Sequence, residues 1–229
     1  MKRKHPPVAS EGFLYIGICA FLAWAAAMFG YTWVSILFAV LTLCNLYFFR
    51  DPERDIPGDP RALVSPADGK VMLVDENVEK DFLDTSMKRI SISLALYNCH
   101  INRVPIKAKV AGSKHTPGSF HIANMPDWLY PESMKRATDE NERLSTLFET
   151  QDGDKIVVVQ ITGFLARRIV SYAGVDMEFK KGERYGMIKF GSRVDVYLPE
   201  GYEIAVQVGD RITGGDTVIA MNGEHAQRT

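Results

Sequence analysis

The chain has 229 residues, enough for one globular domain of ordinary size and an additional segment. Its 27 Lys and Arg residues nearly balance its 28 Asp and Glu residues, and the formal net charge of -1 argues against a nucleic-acid-binding protein that depends on a basic surface. The cysteines, Cys19, Cys44 and Cys99, lack Cys-x-x-Cys spacing, which argues against a disulfide framework and against a zinc site.

The N-terminal part of the chain is an uncharged apolar run from residue 12 to residue 49. As one helix this run would be about 57 Å long, nearly twice the roughly 30 Å thickness of the hydrocarbon core of a bilayer. Gly30, Tyr31 and Thr32 divide it into residues 13–29 and 33–49. The pattern therefore predicts a membrane-associated helical hairpin over residues 1–50.

Basic residues flank the hairpin at both ends: Lys2, Arg3 and Lys4 before it, and Arg50, Arg54 and Arg61 after it. Under the positive-inside rule this distribution predicts a cell-membrane protein whose remaining chain is cytoplasmic. A cleaved signal peptide is the alternative, which the second apolar run disfavours. Residues 51–62, rich in proline and charge, are predicted to be a linker.

Residues 63–229 form the predicted main domain and are mainly strand-like. Short apolar runs predict strands at residues 71–74, 90–96, 107–110, 156–162, 187–190, 194–198, 204–208 and 217–220. The runs at 187–190 and 194–198 alternate with polar residues, which predicts half-buried strands. A helix is predicted at residues 164–172, and residues 134–148 are interpreted as loop or short helix. The fold class is mainly β (α+β), with a compact barrel or sandwich whose Pro-x-acid-Gly hairpins at residues 65–71 and 198–204 form a weak pseudo-repeat.

Gly191 and Ser192 stand between two of the predicted strands. A serine hydroxyl can attack the carbonyl of the preceding residue when the peptide is distorted and a base takes the proton, and glycine leaves that carbonyl open to approach. β-Elimination of the resulting ester leaves dehydroalanine, which hydrolyses to a pyruvoyl group and ammonia. An isolated Gly-Ser pair is usually a turn, so the flanking sequence has to carry this interpretation.

The flanking sequence, residues 182–195, resembles the processing site of the short type of phosphatidylserine decarboxylase. Other segments are similar to this family in the same order: Ser-Pro-Ala-Asp-Gly at 65–69, Asn-Cys-His-Ile-Asn-Arg-Val-Pro at 98–105, Glu-Asn-Glu-Arg at 140–143, and residues 160–170. The resemblance covers roughly residues 50 to 220.

The resemblance implies a proenzyme that cleaves itself between Gly191 and Ser192. The implied products are a large chain, residues 1–191, and a small chain, residues 192–229, which stay together as a heterodimer with higher homo-oligomers left open. The modified Ser192 would carry the pyruvoyl cofactor, with no metal and no pyridoxal phosphate. The implied reaction converts membrane phosphatidylserine to phosphatidylethanolamine and CO2 through a Schiff base, a step of phospholipid biosynthesis.

The resemblance also assigns roles to individual residues. Ser192 is the nucleophile, Asp68 orients the base that activates it, and His100 is the candidate acid-base group because its pKa lies near neutral pH. Longer relatives have a second histidine where this chain has Arg103, so the identity of the processing base stays open. His115 is a reserve acid-base candidate. An Asx turn is the alternative role for Asp68.

Three arginines, Arg103, Arg167 and Arg168, are candidates for binding a lipid head group, because guanidinium groups match phosphate and carboxylate oxygens in a bidentate way. Ordinary surface charges are the alternative for each. Two other functions are considered for the whole chain: a non-enzymatic membrane-anchored carrier or adaptor module of the barrel-sandwich type, and a pyruvoyl enzyme acting on a soluble amino acid. No nucleic-acid partner is expected.

Overall fold

A computed structural model describes residues 6–121, 123, 140–163, 168–189 and 192–223. The chain divides into two compact units, Met1–Glu53 and Arg54–Thr229. The division falls inside the predicted linker, and the first strand of the second unit begins at Ala62.

The first unit is a pair of apolar helices. After a short 3-10 turn, α1 runs from Phe13 to Met28 and α2 from Thr32 to Phe48. Gly30 has φ +78° in the turn between them, a conformation that glycine adopts without a steric penalty. The Ser35 hydroxyl donates to the Ala23 carbonyl at 2.9 Å, which ties the two helices together. The predicted helical hairpin is therefore confirmed.

Most of the apolar side chains of both helices are exposed within this unit, including Leu14 (69 %), Trp24 (61 %) and Trp33 (83 %). The segment Ser10–Met28 is long and apolar enough to cross a membrane, and α2 is shorter.

The second unit is built from strands. They are β1 Ala62–Val64, β2 Gly69–Glu79, β3 Thr85–Leu94, β4 Ile101–Arg103, β5 Ala108–Thr116, β6 Arg143–Glu149, β7 Lys155–Ile161, β8 Ile169–Ser171, β9 Glu178–Phe179, β10 Arg184–Ile188, β11 Ser192–Leu198, β12 Tyr202–Ile204, β13 Arg211–Ile212 and β14 Val218–Asn222. The mainly β fold class with preceding apolar helices is confirmed.

The strands form three antiparallel sheets. The largest has the order β13-β2-β3-β11-β7-β6-β5-β9, and the two small ones have the orders β1-β14-β12 and β4-β10-β8. β10 and β11, the strands on either side of the predicted cleavage site, thus belong to different sheets. β11 lies in the middle of the large sheet, paired with β3 on one side and β7 on the other.

The main core lies on one face of the large sheet. Val194, Val196 and Leu198 of β11 point into it. A second apolar cluster, with Val157, Val159 and Tyr197, covers the other face. Every residue of β11 is consequently buried, which corrects the prediction of a half-buried strand at residues 194–198.

The strand predicted at residues 204–208 is wrong beyond its first residue, because β12 ends at Ile204. Two other predictions about secondary structure are wrong where the structure describes the chain. Residues 169–171, predicted to be helical, form β8, because their backbone groups complete an antiparallel ladder with Gly186–Ile188. Residues 143–148 belong to β6 rather than to a loop or helix, since they pair with β5 and β7. The remainder of both predicted segments lies partly outside the described residues.

Candidate active site

Two predicted site residues from separate parts of the sequence, Asp68 and Ser192, lie at the same end of the large sheet. Ser192 is the first residue of β11 and lies opposite Leu94, the last residue of β3. On the other side of β3, β2 begins at Gly69, directly after Asp68, and its Lys70 pairs with Ser93. Adjacent strands are about 4.8 Å apart, so Gly69 and Ser192 are separated by roughly two strand spacings.

Ser192 is completely buried. Ser192 and Val194 are two residues apart on β11, so their side chains lie on the same face of the sheet. Because Val194 points into the main core, the Ser192 side chain does so too. Within the described part of the chain its Oγ has no hydrogen-bond partner. Buried hydroxyls are normally paired. Other buried hydroxyls of the described residues, including those of Thr146 and Tyr185, also lack partners, so the distinguishing feature of Ser192 is its place in the predicted cleavage site. Gly191, the other half of the predicted cleavage site, lies outside the described residues.

His100 lies beside the strand that leads to the cleavage site. It precedes β4, and its carbonyl accepts a hydrogen bond from the Ile188 amide at 3.2 Å, at the end of β10. The imidazole is completely buried, with Nδ1 3.0 Å from the Asn98 carbonyl oxygen. Because a carbonyl can only accept, Nδ1 carries the proton, and the basic nitrogen of the neutral ring is Nε2.

The turn at residues 95–99 joins the strand residue that pairs with Ser192 to the residue that is hydrogen-bonded to Ile188. Leu94, opposite Ser192, and His100, bonded to Ile188, are separated by residues 95–99, where the Asn98 amide donates to the Ala95 carbonyl at 2.9 Å. The chain leaves the small sheet at Ile188 and enters the large one at Ser192. Ile188 and Ser192, which flank the passage between the two sheets, are therefore held beside His100 and Leu94, the residues that flank the 95–99 turn.

Asp68 is held by contacts that the sequence analysis missed. Its carboxylate accepts two hydrogen bonds from Arg54 Nη2, at 2.7 and 2.9 Å, and one from the Gly214 amide at 2.8 Å. The Asp68 and Arg54 side chains are each 15 % exposed. Asp68 thus lies at the same end of the large sheet as Ser192, and Arg54, in the predicted linker, is its ion-pair partner.

The arginine candidates are placed differently from one another. Arg103 is buried, and its Nη1 donates to the Gly182 carbonyl at 3.0 Å. Arg168 is exposed, and its carbonyl accepts from the Lys189 amide at 3.2 Å, next to the cleavage segment. Arg167 lies outside the described residues. Arg168 is therefore the exposed candidate among the two described, and head-group binding stays a prediction for all three.

His115 is not brought to Ser192. It lies on β5, opposite Leu144 of β6, which in turn lies opposite Gln160 of β7. Three strand spacings, roughly 14 Å, separate β5 from β11. The imidazole is 53 % exposed, and Nε2 lies 3.1 Å from Glu142 Oε1. This position is too distant for direct proton transfer with Ser192.

The side chain of Arg193, the residue after Ser192, lies on the opposite face of the sheet. The Arg193 guanidinium forms a bidentate pair with Asp195, at 2.7 and 2.5 Å, and both side chains are 1 % exposed. Burial, reinforced by the negative charge of Asp195, raises the pKa of the nearby Tyr197 to about 12. The start of β11 is therefore fixed by an ion pair as well as by its two ladders.

Comparison with known proteins shows the family of this chain. The model of the family described as phosphatidylserine decarboxylase matches residues 41–220. The chain belongs to the phosphatidylserine decarboxylase family. It is 40 % identical over 221 residues to the phosphatidylserine decarboxylase proenzyme of Geotalea uraniireducens, covering 96 % of this chain and 99 % of the relative. The proenzyme of Ruegeria pomeroyi is 40 % identical over 223 residues, covering 93 % and 94 %.

Membership of the phosphatidylserine decarboxylase family confirms the resemblance seen in the sequence and makes the chain an enzyme of the decarboxylase class. The matched residues contain Asp68, His100 and Ser192. Among the residues described in the structure, no group of three or more His, Cys, Asp or Glu side chains is arranged to hold a metal ion.

Sequence analysis missed two buried amides of this decarboxylase. Gln160 Nε2 donates to Asn102 Oδ1 at 2.7 Å, and both side chains are completely buried. A Cβ on Gly186 would lie 3.1 Å from Gln160 Nε2, so the glycine leaves space for this pair. A polar residue in the otherwise apolar strand of residues 156–161 was the available signal. A Gln at an inward position of a strand needs a buried partner.

Proposed function

We propose that this chain is a membrane-held, self-processing decarboxylase that converts phosphatidylserine to phosphatidylethanolamine and CO2. One observation carries the proposal: the fully buried Ser192 hydroxyl, which has no partner among the described residues, lies at the start of the central strand, in the segment that resembles the family's processing site. The term proenzyme in the names of the relatives supports cleavage into two chains.

The proposed cleavage begins at Ser192. Oγ bonds to the carbonyl carbon of Gly191, the peptide C–N bond breaks, and the hydroxyl proton passes through His100 Nε2 to the freed nitrogen. Elimination then removes the Cα proton of Ser192 and releases the Gly191 carboxylate. One water molecule replaces the nitrogen of the resulting dehydroalanine as ammonia leaves, so that a ketone remains at the new N-terminus.

The site suits such a group. Residue 192 is held between two strands and shielded from water, and no described side chain competes for Oγ. The pyruvoyl group would supply an electrophilic carbonyl that draws electrons from the bond between the substrate Cα and its carboxylate. His100 would hold or return a proton at Nε2, and the Asp68–Arg54 pair would keep the adjacent turn in place.

The apolar helices support a lipid substrate. Soluble proteins rarely expose large contiguous apolar patches, and α1 and α2 expose them along their length. We infer that the hairpin holds the catalytic unit at the cell membrane. The basic residues at both ends of the hairpin favour the cytoplasmic side for that unit. A soluble amino acid substrate would not require such an anchor.

Mass spectrometry of the full-length chain purified in detergent tests the proposal. The expected result is a large fragment ending at Gly191 and a small fragment starting at a pyruvoyl-blocked residue 192, which borohydride reduces. Purified protein should release CO2 from vesicles that contain phosphatidylserine. The matched control is Ser192→Ala, which should remain one uncut chain of unchanged melting temperature.

A wild-type chain that stays uncut and contains no reducible ketone would refute the proposal. The carrier alternative requires a modifiable lysine at an exposed hairpin tip. Lys70 lies inside β2, and Lys189 is 8 % exposed. In that alternative, Ser192→Ala would change neither the mass pattern nor the function.

A further inference from the structure

Three buried polar atoms near the cleavage site lack hydrogen-bond partners among the described residues: Ser192 Oγ, Gln160 Oε1 and Asn102 Nδ2. All three side chains are completely inaccessible to solvent. Buried polar groups are usually paired. Other buried polar atoms of the described residues, such as Thr146 Oγ1, also lack partners, but these three lie together beside the predicted cleavage site.

The strand register brings Gln160 next to Ser192. Gln160 lies directly opposite Val194 on β11, so the two side chains share a face of the sheet. Ser192 precedes Val194 by two residues and is on that same face, which makes it the diagonal neighbour of Gln160. Diagonal neighbours are roughly 7 to 8 Å apart at Cα, a separation that a long side chain spans.

Asn102 fixes which end of the Gln160 amide is available. Asn102 Oδ1 accepts the hydrogen bond from Gln160 Nε2 at 2.7 Å, so the carbonyl oxygen of Gln160 is the end left for another donor. Asn102 comes from β4 and Gln160 from β7, which belong to different sheets. Gly186 leaves the room for this contact, because a Cβ there would lie 2.6 Å from the Val170 carbonyl oxygen and 3.1 Å from Gln160 Nε2.

The unpaired atoms are chemically complementary. The Ser192 hydroxyl has a proton to donate, and Gln160 Oε1 is an acceptor that cannot remove the proton. We propose that the Asn102–Gln160 amide pair positions the Ser192 hydroxyl for cleavage of the preceding peptide bond, with Gln160 Oε1 accepting the Oγ–H and Asn102 holding the Gln160 amide. This inference rests on the proposed function.

In the positioned state the hydrogen bond directs the proton of Ser192 toward Gln160, and rotation of the hydroxyl then delivers that proton to the base. The Oγ–carbonyl bond forms as the C–N bond breaks, and the proton ends on the released nitrogen. The amide pair gains and loses no atoms. Gln160 and Asn102 are therefore positioning residues.

The test compares cleavage rates of full-length variants made by cell-free synthesis in the presence of phospholipid nanodiscs. Gln160→Leu, which removes the acceptor, should slow cleavage by about tenfold to hundredfold, the usual effect of a misplaced reacting group. Gln160→Glu should recover most of the wild-type rate, because burial favours the neutral carboxyl, which retains both a carbonyl acceptor and a donor for Asn102. Thr146→Val is the matched control: Thr146 Oγ1 is also buried and unpaired, but it lies on β6.

Hydroxylamine, which cleaves esters, shows whether Gln160 acts before or after the ester forms, and rescue by Gln160→Glu is the readout that a purely structural role would not give. If Gln160 acts before the ester forms, Gln160→Leu should lower hydroxylamine-induced scission at residue 192 in proportion to spontaneous cleavage. If Gln160→Leu does not fold, Asn102→Asp, which retains the acceptor for Gln160, should cleave faster than Asn102→Leu.

Gln160→Leu cleaving as fast as Thr146→Val would overturn the inference. So would a Gln160→Glu variant that folds like wild type but is as slow as Gln160→Leu, or equal rates for the two Asn102 variants. A wild-type chain that never cleaves would instead overturn the proposed function, so the two failures are distinguishable.

Discussion

Replacing Gly69 with alanine adds a methyl group at the start of β2, against the end of β3. A Cβ at this position would lie 2.1 Å from the Ser93 carbonyl oxygen and 2.9 Å from Ile92 Cγ2. Ordinary contacts begin at 3.4 Å, so the two strands would have to separate by about 1.3 Å. The obstacle is backbone in the interior of a sheet, which cannot rotate away as a flexible side chain can.

The expected loss of stability follows from two contributions. Overpacking typically costs about 1 to 3 kcal/mol, and weakening a ladder hydrogen bond costs about 1 kcal/mol more. Lower entropy of the unfolded alanine chain offsets about 0.4 to 1 kcal/mol. We expect a net loss of about 1 to 3.6 kcal/mol, which lowers the melting temperature of a domain of this size by about 2 to 14 °C.

Thermal unfolding followed by circular dichroism in detergent measures this change. Gly58→Ala is the matched control, because no atom lies within 4 Å of a Cβ placed there. Since β3 also carries Leu94, opposite Ser192, Gly69→Ala should slow self-cleavage as well. Equal melting temperatures for the two variants would show that β2 and β3 separate at no cost and would refute the packing argument.

Three further variants test other contacts. Arg54→Met leaves Asp68 with its bond from the Gly214 amide, and it should lower the free energy of unfolding by about 1 to 3 kcal/mol in urea titrations; an unchanged midpoint would contradict this. Burial alone would raise the pKa of Asp81, but hydrogen bonds from neighbouring donors outweigh burial and lower this pKa. The stability that the Asp81 carboxylate contributes is therefore present above the pKa of the unfolded chain and is lost as the pH falls through the pKa of the folded protein. Asp81→Asn should therefore be less stable than wild type at neutral pH and equal to it in strong acid, as pH-dependent urea unfolding would show. Phe21→Arg, in the middle of α1, should make membrane insertion about 3 kcal/mol less favourable and should increase the fraction of the protein that carbonate extracts from membranes. An unchanged extractable fraction would mean that the hairpin does not contribute to anchoring.

The sequence predicted those features that local pattern determines. The apolar run broken at Gly30 predicted two helices, and apolar strand patterns located most of the strands in the second unit. Family motifs indicated Asp68, His100 and Ser192, and the structure places all three near strand ends around the same passage between sheets.

The errors and omissions share a physical cause, which is pairing between distant residues. Residues 169–171 form a strand because β10 lies beside them, and a helical pattern in the sequence does not reveal that neighbour. The partner of Asp68 is Arg54, in a segment interpreted as a linker. Gln160 and Asn102 are 58 residues apart, so their hydrogen bond follows from sheet topology alone.

The position of the predicted cleavage site determines what happens to the small chain afterwards. In the small chain, β11 lies between β3 and β7, β13 pairs with β2, and β14 pairs with β1. The small chain is therefore hydrogen-bonded to strands of the large chain in two sheets. Cutting one peptide bond before β11 leaves these ladders and the buried side chains of β11 in place. We therefore expect both fragments to elute together in native size-exclusion chromatography and to separate only in denaturant. A small chain that elutes alone without denaturant would mean that β11 does not hold its central place after cleavage.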